Sequence, residues 1–493
     1  MVFEPARVPL LEVGVLAASA PRRSVRACYR PCLRKAHAAS TPRRQIQTSQ
    51  AQKQDLLLGT QGTPVPPHPN APAPESGKST PPSNEMPSAL AALPLSQILR
   101  TYLITSISSS PALLGTSTKL LRSMLDSKSA LFDVDRNPIL RTILLETFYK
   151  QFCAGSTEAE VRRMCSNLRQ QGYSGVILEY ALEVLKDAEG TDEAQDIELW
   201  RVGTMGSVSM ASPGDYIGLK WSGMGPAAMR RMKKNEAPSA EMEKAMHEIC
   251  KAAAEKNVVL LPSAEETWTL DGYFDWTMRM QRMYNTGGKG VVYNTYQAYL
   301  KQAPERFAKH LEIAKAEGFT LGVKVVRGAY LHSEERSLIH DTIEHTHEAY
   351  DSIASSLIHR DYNNFVRPLS GTGSRWPQIG VVLATHNLRS VQRAQALRRI
   401  QASRGEPLTE LMFAQLQGMA DEVSATLVAA AKAPVTDSNA VRERVYKCTS
   451  FGTMSQCLNY LLRRAAENKD AAGRTADTRR AMGRELLRRA GLA

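Results

Sequence analysis

From about residue 147 onward the chain alternates short β-branched runs with amphipathic stretches, and that alternation limits its fold more than any other feature. Nine runs read as strands: FYKQFCAG (148–155), GVILEY (175–180), YIGLKWS (216–222), NVVLLPS (257–263), GVVYNTY (290–296), LGVKVVRGAY (321–330), IGVVLATHN (379–387), LMFAQL (411–416) and VYKCTS (445–450). Stretches such as AEVRRMCSNLRQQ and SAEMEKAMHEICKAAAEK fall between them with helical periodicity. Parallel strands need such crossovers, so the pattern predicts a parallel α/β architecture. Nine candidates exceed the eight strands of a (βα)8 barrel, so at least one is an accessory strand or no strand.

The ends of the chain differ from this body. Residues 1–54 hold ten Arg and Lys against only Glu4 and Glu12, in an Ala- and Ser-rich background, which is the composition of a mitochondrial transit peptide. Subtracting that +8 from the formal charge of +13 leaves +5 for the remainder. So modest an excess, with no aromatic-basic motif, argues against nucleic acid as a partner. Residues 55–91, dense in Pro and Gly, read as a disordered linker. The segment 92–146 opens with a helical pattern, and 147–493 forms the main domain.

The seven cysteines (Cys28, Cys32, Cys153, Cys165, Cys250, Cys448, Cys457) are odd in number and never spaced CxxC. Neither a disulfide framework nor a zinc ribbon is indicated. Thr101–Thr118 carries no charged residue before Thr118, yet it is rich in Ser and Thr and broken by Pro111, a poor membrane span. GTGSRW (371–376) lacks the third glycine and following helix of a dinucleotide fingerprint, and no Walker lysine motif is present.

Polar residues gather at the C-terminal ends of the apolar runs, where an α/β barrel places its active site. Lys220 ends YIGLK; Glu265 and Glu266 follow VVLLPSA; Gln297 follows VVYNTY; Lys324 and Arg327 lie in GVKVVRGAY; Thr385, His386 and Asn387 follow VVLA. A second constellation is NYLLRRAAEN (459–468), where Tyr460, Arg463, Arg464 and Glu467 recur at i, i+3, i+4 and i+7 on one helical face. Two adjacent guanidinium groups can grip a carboxylate through paired hydrogen bonds, with a geometry that lysines do not impose. His340, Glu344, His345 and His347 also cluster, but their spacing matches no zincin motif, and no metal is expected.

The strings VYNTYQAYLK (292–301), KVVRGAY (324–330), ATHN (384–387), FAQLQGMAD (413–421) and YLLRRAAEN (460–468), in this order, resemble the proline dehydrogenase family, in particular its fungal mitochondrial members. The resemblance covers about residues 145–485. It implies a distorted (βα)8 TIM-like barrel with an N-terminal helical extension, noncovalent FAD, and oxidation of proline to 1-pyrroline-5-carboxylate. Electrons would pass to ubiquinone, with a peripheral place on the matrix side of the inner mitochondrial membrane.

Position by position, the resemblance implies that Arg463 and Arg464 clamp the substrate carboxylate, with Glu467 orienting them. Lys220 matches the family's active-site lysine, and Tyr460 and Leu416 wall the ring pocket. Gln297, Lys324, Arg327, Gly328, Ala329, Thr385, His386 and Asn387 would contact FAD. One of Lys324 and Arg327 would lie near flavin N5, and the motif leaves open which.

Two positions depart from the family pattern. KCTSFG puts Cys448 where a tyrosine usually presses on the substrate ring, and Ser263-Ala264-Glu265 replaces the usual D-A-E. Beside proline oxidation, Cys448 leaves open a dehydrogenase of 4-hydroxyproline or another cyclic imino acid, and Ser263 a flavin- or proline-binding paralogue without turnover.

Overall fold

The structure is a computed structural model. It describes residues 88–492 apart from 128, 130, 131, 133, 135, 136, 182–191, 370–375, 434–440 and 468–471, and not the side chains of 126, 463–467 and 472–474. The segments read as transit peptide and most of the linker, residues 371–375 of GTGSRW, and the side chains of Arg463, Arg464 and Glu467 thus lie outside the described residues.

Three helices lead the described chain: α1 (Leu95–Ser108), α2 (Pro111–Asp126) and α3 (Pro138–Leu144). A one-turn helix, α4 (Lys150–Phe152), and then α5 (Glu158–Gln171) follow. Strand–helix alternation takes over with β1 (Gly175–Tyr180), α6 (Glu193–Met210), β2 (Tyr216–Leu219), α7 (Pro226–Lys233), α8 (Ala240–Glu255) and β3 (Val259–Pro262). It continues through α9 (Thr267–Tyr284), β4 (Tyr293–Gln297), α10 (Ala303–Glu317), β5 (Leu321–Val326), α11 (Ile343–His359) and β6 (Ile379–Ala384). The last elements are α12 (Leu388–Ser403), β7 (Glu410–Leu416), α13 (Asp421–Lys432), β8 (Arg444–Phe451), α14 (Met454–Glu467) and α15 (Ala472–Arg489).

The eight strands run parallel in the order β3-β2-β1-β8-β7-β6-β5-β4. A lone bridge between Leu260 and Val292, with Leu260 N donating to Val291 O at 2.7 Å, draws β3 to β4 and nearly closes the ring. This is the (βα)8 barrel that the resemblance implies. Eight of the nine sequence runs overlap these strands.

FYKQFCAG (148–155) is the one that does not. Its residues form a π-helical turn (Leu145–Tyr149) and α4, and only Cys153 makes a strand-like bridge, to Ser450. A short apolar run satisfies both periodicities, and packing decides between them. Here Tyr149 and Cys153, one helical turn apart, bury against Cys457 and Leu458 of α14.

The helices start where the sequence supplies a cap. Thr157 and Glu160 form a reciprocal capping box at α5, and Ser239, Thr342 and Asn387 accept backbone N–H bonds at α8, α11 and α12. Inside the barrel, Ile177, Tyr216, Leu261, Tyr293, Val382 and Met412 pack together with Tyr446. Tyr216 meets Tyr446 edge-on at 5.2 Å between ring centroids. This plug fills the barrel's middle, so polar side chains remain at the C-terminal mouth.

One buried histidine makes acid stability testable. His310 of α10 sits with Nδ1 2.8 Å from the Tyr296 hydroxyl; burial, then Arg306, Lys309 and Arg282, push its pKa down to about 3. It stays neutral in the fold but takes up a proton near pH 6.5 when unfolded. Its contribution to stability is full above about pH 6.5 and is lost as pH falls toward 3, at up to about 1.4 kcal/mol per pH unit. Urea midpoints at pH 7.5, 5.5 and 4.5 should fall less steeply for His310→Leu than for the wild type. Parallel pH profiles would remove His310 from the acid response.

Candidate functional site

Strand alternation fixes which residues enter the mouth. On β5, Gly322 and Lys324 face inward while Val323 and Val325 join the outer core under the helices. Lys324 Nζ lies 3.4 Å from Ser263 Oγ, across the mouth at the end of β3. On β2 the same alternation carries Lys220 inward one residue past the strand, and its Nζ lies 3.4 Å from Glu265 Oε1, both side chains largely buried. Gln297, ending β4, is buried and donates from Nε2 to the Glu265 backbone oxygen at 2.7 Å.

Arg327, just past β5, is held from three sides. Its Nη1 donates to Thr385 Oγ1 and its Nη2 to Ser390 Oγ, each at 2.7 Å, while Nε donates to His347 Nδ1 at 3.0 Å. The guanidinium also lies 4.3 Å from the ring centroid of Tyr350, whose phenol burial holds well above its usual range. Lysine has neither the planar fork nor the reach to satisfy these partners together. Thr385 was a sequence candidate; His347, Tyr350 and Ser390 were not. His347 stood out only as part of a histidine cluster, and the structure gives it to Arg327.

Gly328 follows with φ of +134°, and a Cβ there would collide with the Tyr299 ring. Only glycine lets the backbone pass this close. Tyr299 is buried in turn, and its hydroxyl donates to Glu334 at 3.3 Å. Ala329 continues the turn after β5.

On the far side of the mouth, Asn387 Oδ1 accepts from Ser390 N and caps α12, turning that helix's N-terminus toward the site. His386 Nε2 accepts from Leu416 N at 3.1 Å, an arrangement that leaves the ring proton on Nδ1. Leu416 and Cys448 are register partners on β7 and β8. With Tyr460 of α14, they line one cavity of about 1060 Å³ that runs out beneath α1–α3. Arg463, Arg464 and Glu467 lie on the same helix as Tyr460.

Sequence reading missed a further inward carboxylate. Glu179, the next-to-last residue of β1, is in register with Gly218 and Ser450, on the inner face that Ile177 shares. Its only signal was parity with Ile177 along the strand, which becomes readable once the sheet's inner face is known.

Among the described residues no group of three or more His, Cys, Asp or Glu is placed to hold a metal ion, and no helix is long and apolar enough to cross a membrane.

Comparison with known proteins places this geometry. The family model for proline dehydrogenase matches residues 161–477. A probable mitochondrial proline dehydrogenase of Schizosaccharomyces pombe is 33% identical over 251 residues, covering 49% of this chain and 48% of that one. The mitochondrial proline dehydrogenase 2 of Arabidopsis thaliana is 29% identical over 454 residues, covering 81% and 88%. A hydroxyproline dehydrogenase of Bos taurus is 32% identical over 248 residues, covering 50% of each. Among solved structures, proline utilization A from Bdellovibrio bacteriovorus superposes with a TM-score of 0.55 at 15% identity, over 73% of this chain and 38% of that one. That likeness concerns the fold. With the family model spanning well over half its length, the chain belongs to the proline dehydrogenase family.

Proposed function

We propose that this protein is an FAD-dependent mitochondrial enzyme that oxidises L-proline to 1-pyrroline-5-carboxylate and passes the electrons to ubiquinone, the opening step of proline breakdown. The observation that carries this reading is the convergence of Lys220, Gln297, Lys324, Arg327 and Thr385 on one barrel mouth, beside a pocket wall made by Leu416, Cys448 and Tyr460.

The residues present fit a flavin dinucleotide. Cations at the mouth suit the negative charge that a flavin ring acquires on reduction, and the α12 N-terminus beside Thr385 suits a pyrophosphate. At Gly328 a Cβ would strike the Tyr299 ring, so the backbone passes there without a side chain. Between the two cations, Lys324 is the better candidate for the place near N5. Its ammonium points into the mouth, whereas Arg327 is committed to Thr385, Ser390 and His347. When bound, the flavin supplies the two-electron acceptor; binding, orientation and exclusion of water fall to the protein.

Arg463 and Arg464 clamp the carboxylate and thereby fix the opposite ring carbon, with Glu467 orienting the pair. Tyr460 and Leu416 pack on the ring. Misplacement of the reacting carbon by about 1 Å costs on the order of 100-fold in rate, which is why the clamp matters to the chemistry. Lys220 stays paired with Glu265 and adds positive potential beside the carboxylate.

The test is anaerobic. Purified protein should show flavin absorbance that L-proline bleaches, and acid precipitation should release all of the chromophore, because binding is noncovalent. Protein without flavin absorbance, or absorbance indifferent to every cyclic imino acid, would sink the proposal and leave the non-catalytic paralogue.

A second reading, 4-hydroxyproline, draws on Cys448 and on Gln417. Gln417 lines the same cavity, and its buried Oε1 has no hydrogen-bond partner among the described residues, so it can accept from a ring hydroxyl. Cys448→Tyr should shift kcat/KM toward proline and away from 4-hydroxyproline, by the roughly 10- to 200-fold that one small group is worth in a pocket.

Localisation follows the same reading. Leu103, Leu113, Leu120, Ile139 and Ile143 are exposed on α1–α3, and such a surface suits peripheral contact with the inner membrane. Deleting residues 1–54 should leave a fluorescent fusion diffuse in the cytosol while the purified protein stays active. Retained mitochondrial signal would place the address elsewhere.

A further inference from the structure

The cavity that Cys448 lines is far larger than a five-membered ring requires. Pockets for whole drug-sized ligands hold about 300–1,000 Å³, and this one reaches about 1060 Å³. Its lining changes character with distance from the barrel. At the barrel end stand Leu416, Cys448 and Tyr460; beyond them come Ile104 of α1, Leu121 of α2, Leu144 of α3, and Phe148 and Phe152. The lining is mostly apolar, and Arg389, Glu422, Asp477, Arg480 and Arg484 also contribute to it. Where the family tyrosine would stand as a partition, the small Cys448 side chain leaves the ring pocket continuous with an apolar chamber.

We infer that the site accepts cyclic imino acids carrying an apolar extension, an alkyl chain or a fused carbocycle, on the ring edge remote from the carboxylate. The inference rests on the reading that this chain oxidises such imino acids and names a wider substrate class for the same site. The reaction is unchanged. The ring loses a hydride from the carbon beside nitrogen and a proton from nitrogen, a C=N bond forms, and the two electrons go to the flavin of that reading. The extension stays outside the reacting bonds and contributes by leaving water.

Burying a methylene is worth about fourfold in affinity, so a four-carbon extension that reaches Leu121 and Leu144 gains at least about tenfold after its own ordering cost. A hydroxyl at the same ring position gains from Gln417 but not from the aliphatic lining. The chamber therefore favours carbon over oxygen.

The experiment uses the full-length protein. Wild type is assayed anaerobically with L-proline, 4-butylproline in both epimers and octahydroindole-2-carboxylate. In parallel, calorimetry measures Kd for tetrahydrofuran-2-carboxylate and its 4-butyl derivative, which lack the ring N–H and cannot be oxidised.

The expected result is at least about tenfold higher kcat/KM for one extended ring than for proline, and a matching drop in Kd for the butyl analogue. Leu144→Trp and Ser117→Trp, which fill the chamber beyond the ring pocket, should each remove that advantage and leave proline kinetics unchanged. Two different positions guard against one variant failing to fold. Proline turnover with no advantage for either extended ring, or an advantage that survives both tryptophans, overturns the inference. If no imino acid is oxidised yet the butyl analogue binds at least tenfold tighter, the chamber stands and the proposed function falls.

Discussion

Lys447→Met should lower the free energy of unfolding by about 3–5 kcal/mol, the cost of leaving one member of a buried ion pair alone. Lys447 and Asp421 are almost wholly excluded from water, 2.9 Å apart. Burial alone would lower the lysine pKa, but Asp421 and neighbouring acidic groups hold it above its usual value. The ammonium also donates to the Leu416 and Met419 backbone oxygens at 3.3 and 3.1 Å, and Gln97 of α1 donates to the other oxygen of Asp421. One charge thus ties β8, the end of β7, α13 and the leading helix together.

Removing the lysine leaves Asp421 buried with Gln97 as its neutral side-chain donor among the described residues. Replacing both, as Lys447→Met with Asp421→Leu, should recover most of the loss, because two apolar side chains of similar volume need no hydration. Urea unfolding followed by far-UV circular dichroism measures both variants. A single-variant loss below about 1 kcal/mol would mean that water reaches the pair.

The second large effect concerns the clamp. Arg464→Met should cut kcat/KM for L-proline by about 30- to 5,000-fold, the equivalent of roughly 2–5 kcal/mol for truncating one partner of a hydrogen-bonded charge pair. Arg463→Lys and Arg464→Lys should each cost at least about tenfold, or roughly 1.4 kcal/mol, since the charge survives but the planar fork does not. The loss should fall mainly on KM, with flavin content unchanged, because in the proposed reading these arginines grip substrate and not cofactor. Steady-state kinetics beside the flavin-to-protein absorbance ratio separates the two. Unchanged kinetics in all three variants would take these arginines out of the substrate site.

The two predictions lie at opposite ends of what could be read in advance. Arg463, Arg464 and Tyr460 were visible because helical spacing puts them on one face and a paired guanidinium has a recognisable use. Lys447 was not singled out. It sits between Tyr446 and Cys448, whose side chains enter the barrel, and a lysine at that parity reads as solvent-facing until α13 is known to cover it with Asp421.

Period-two and period-3.6 patterns determined eight strands, helices such as α5 and α8, and the parallel α/β class, because these depend on residues within one or two turns of each other. The strand ends bearing Lys220, Gln297, Lys324, Arg327 and Thr385 were legible for the same reason. Local pattern failed at 148–155, where an apolar run fits either period and burial against α14 selected the helix.

Tertiary structure alone decided the rest. Arg327 meets His347, Tyr350 and Ser390 from two different helices, Glu179 turns inward beside Gly218, and the residues around Cys448 open into a chamber under α1–α3. Each of these relations joins positions tens to hundreds of residues apart. Such contacts arise when the barrel nearly closes and the helices pack on it, and spacing along a single chain carries no record of them.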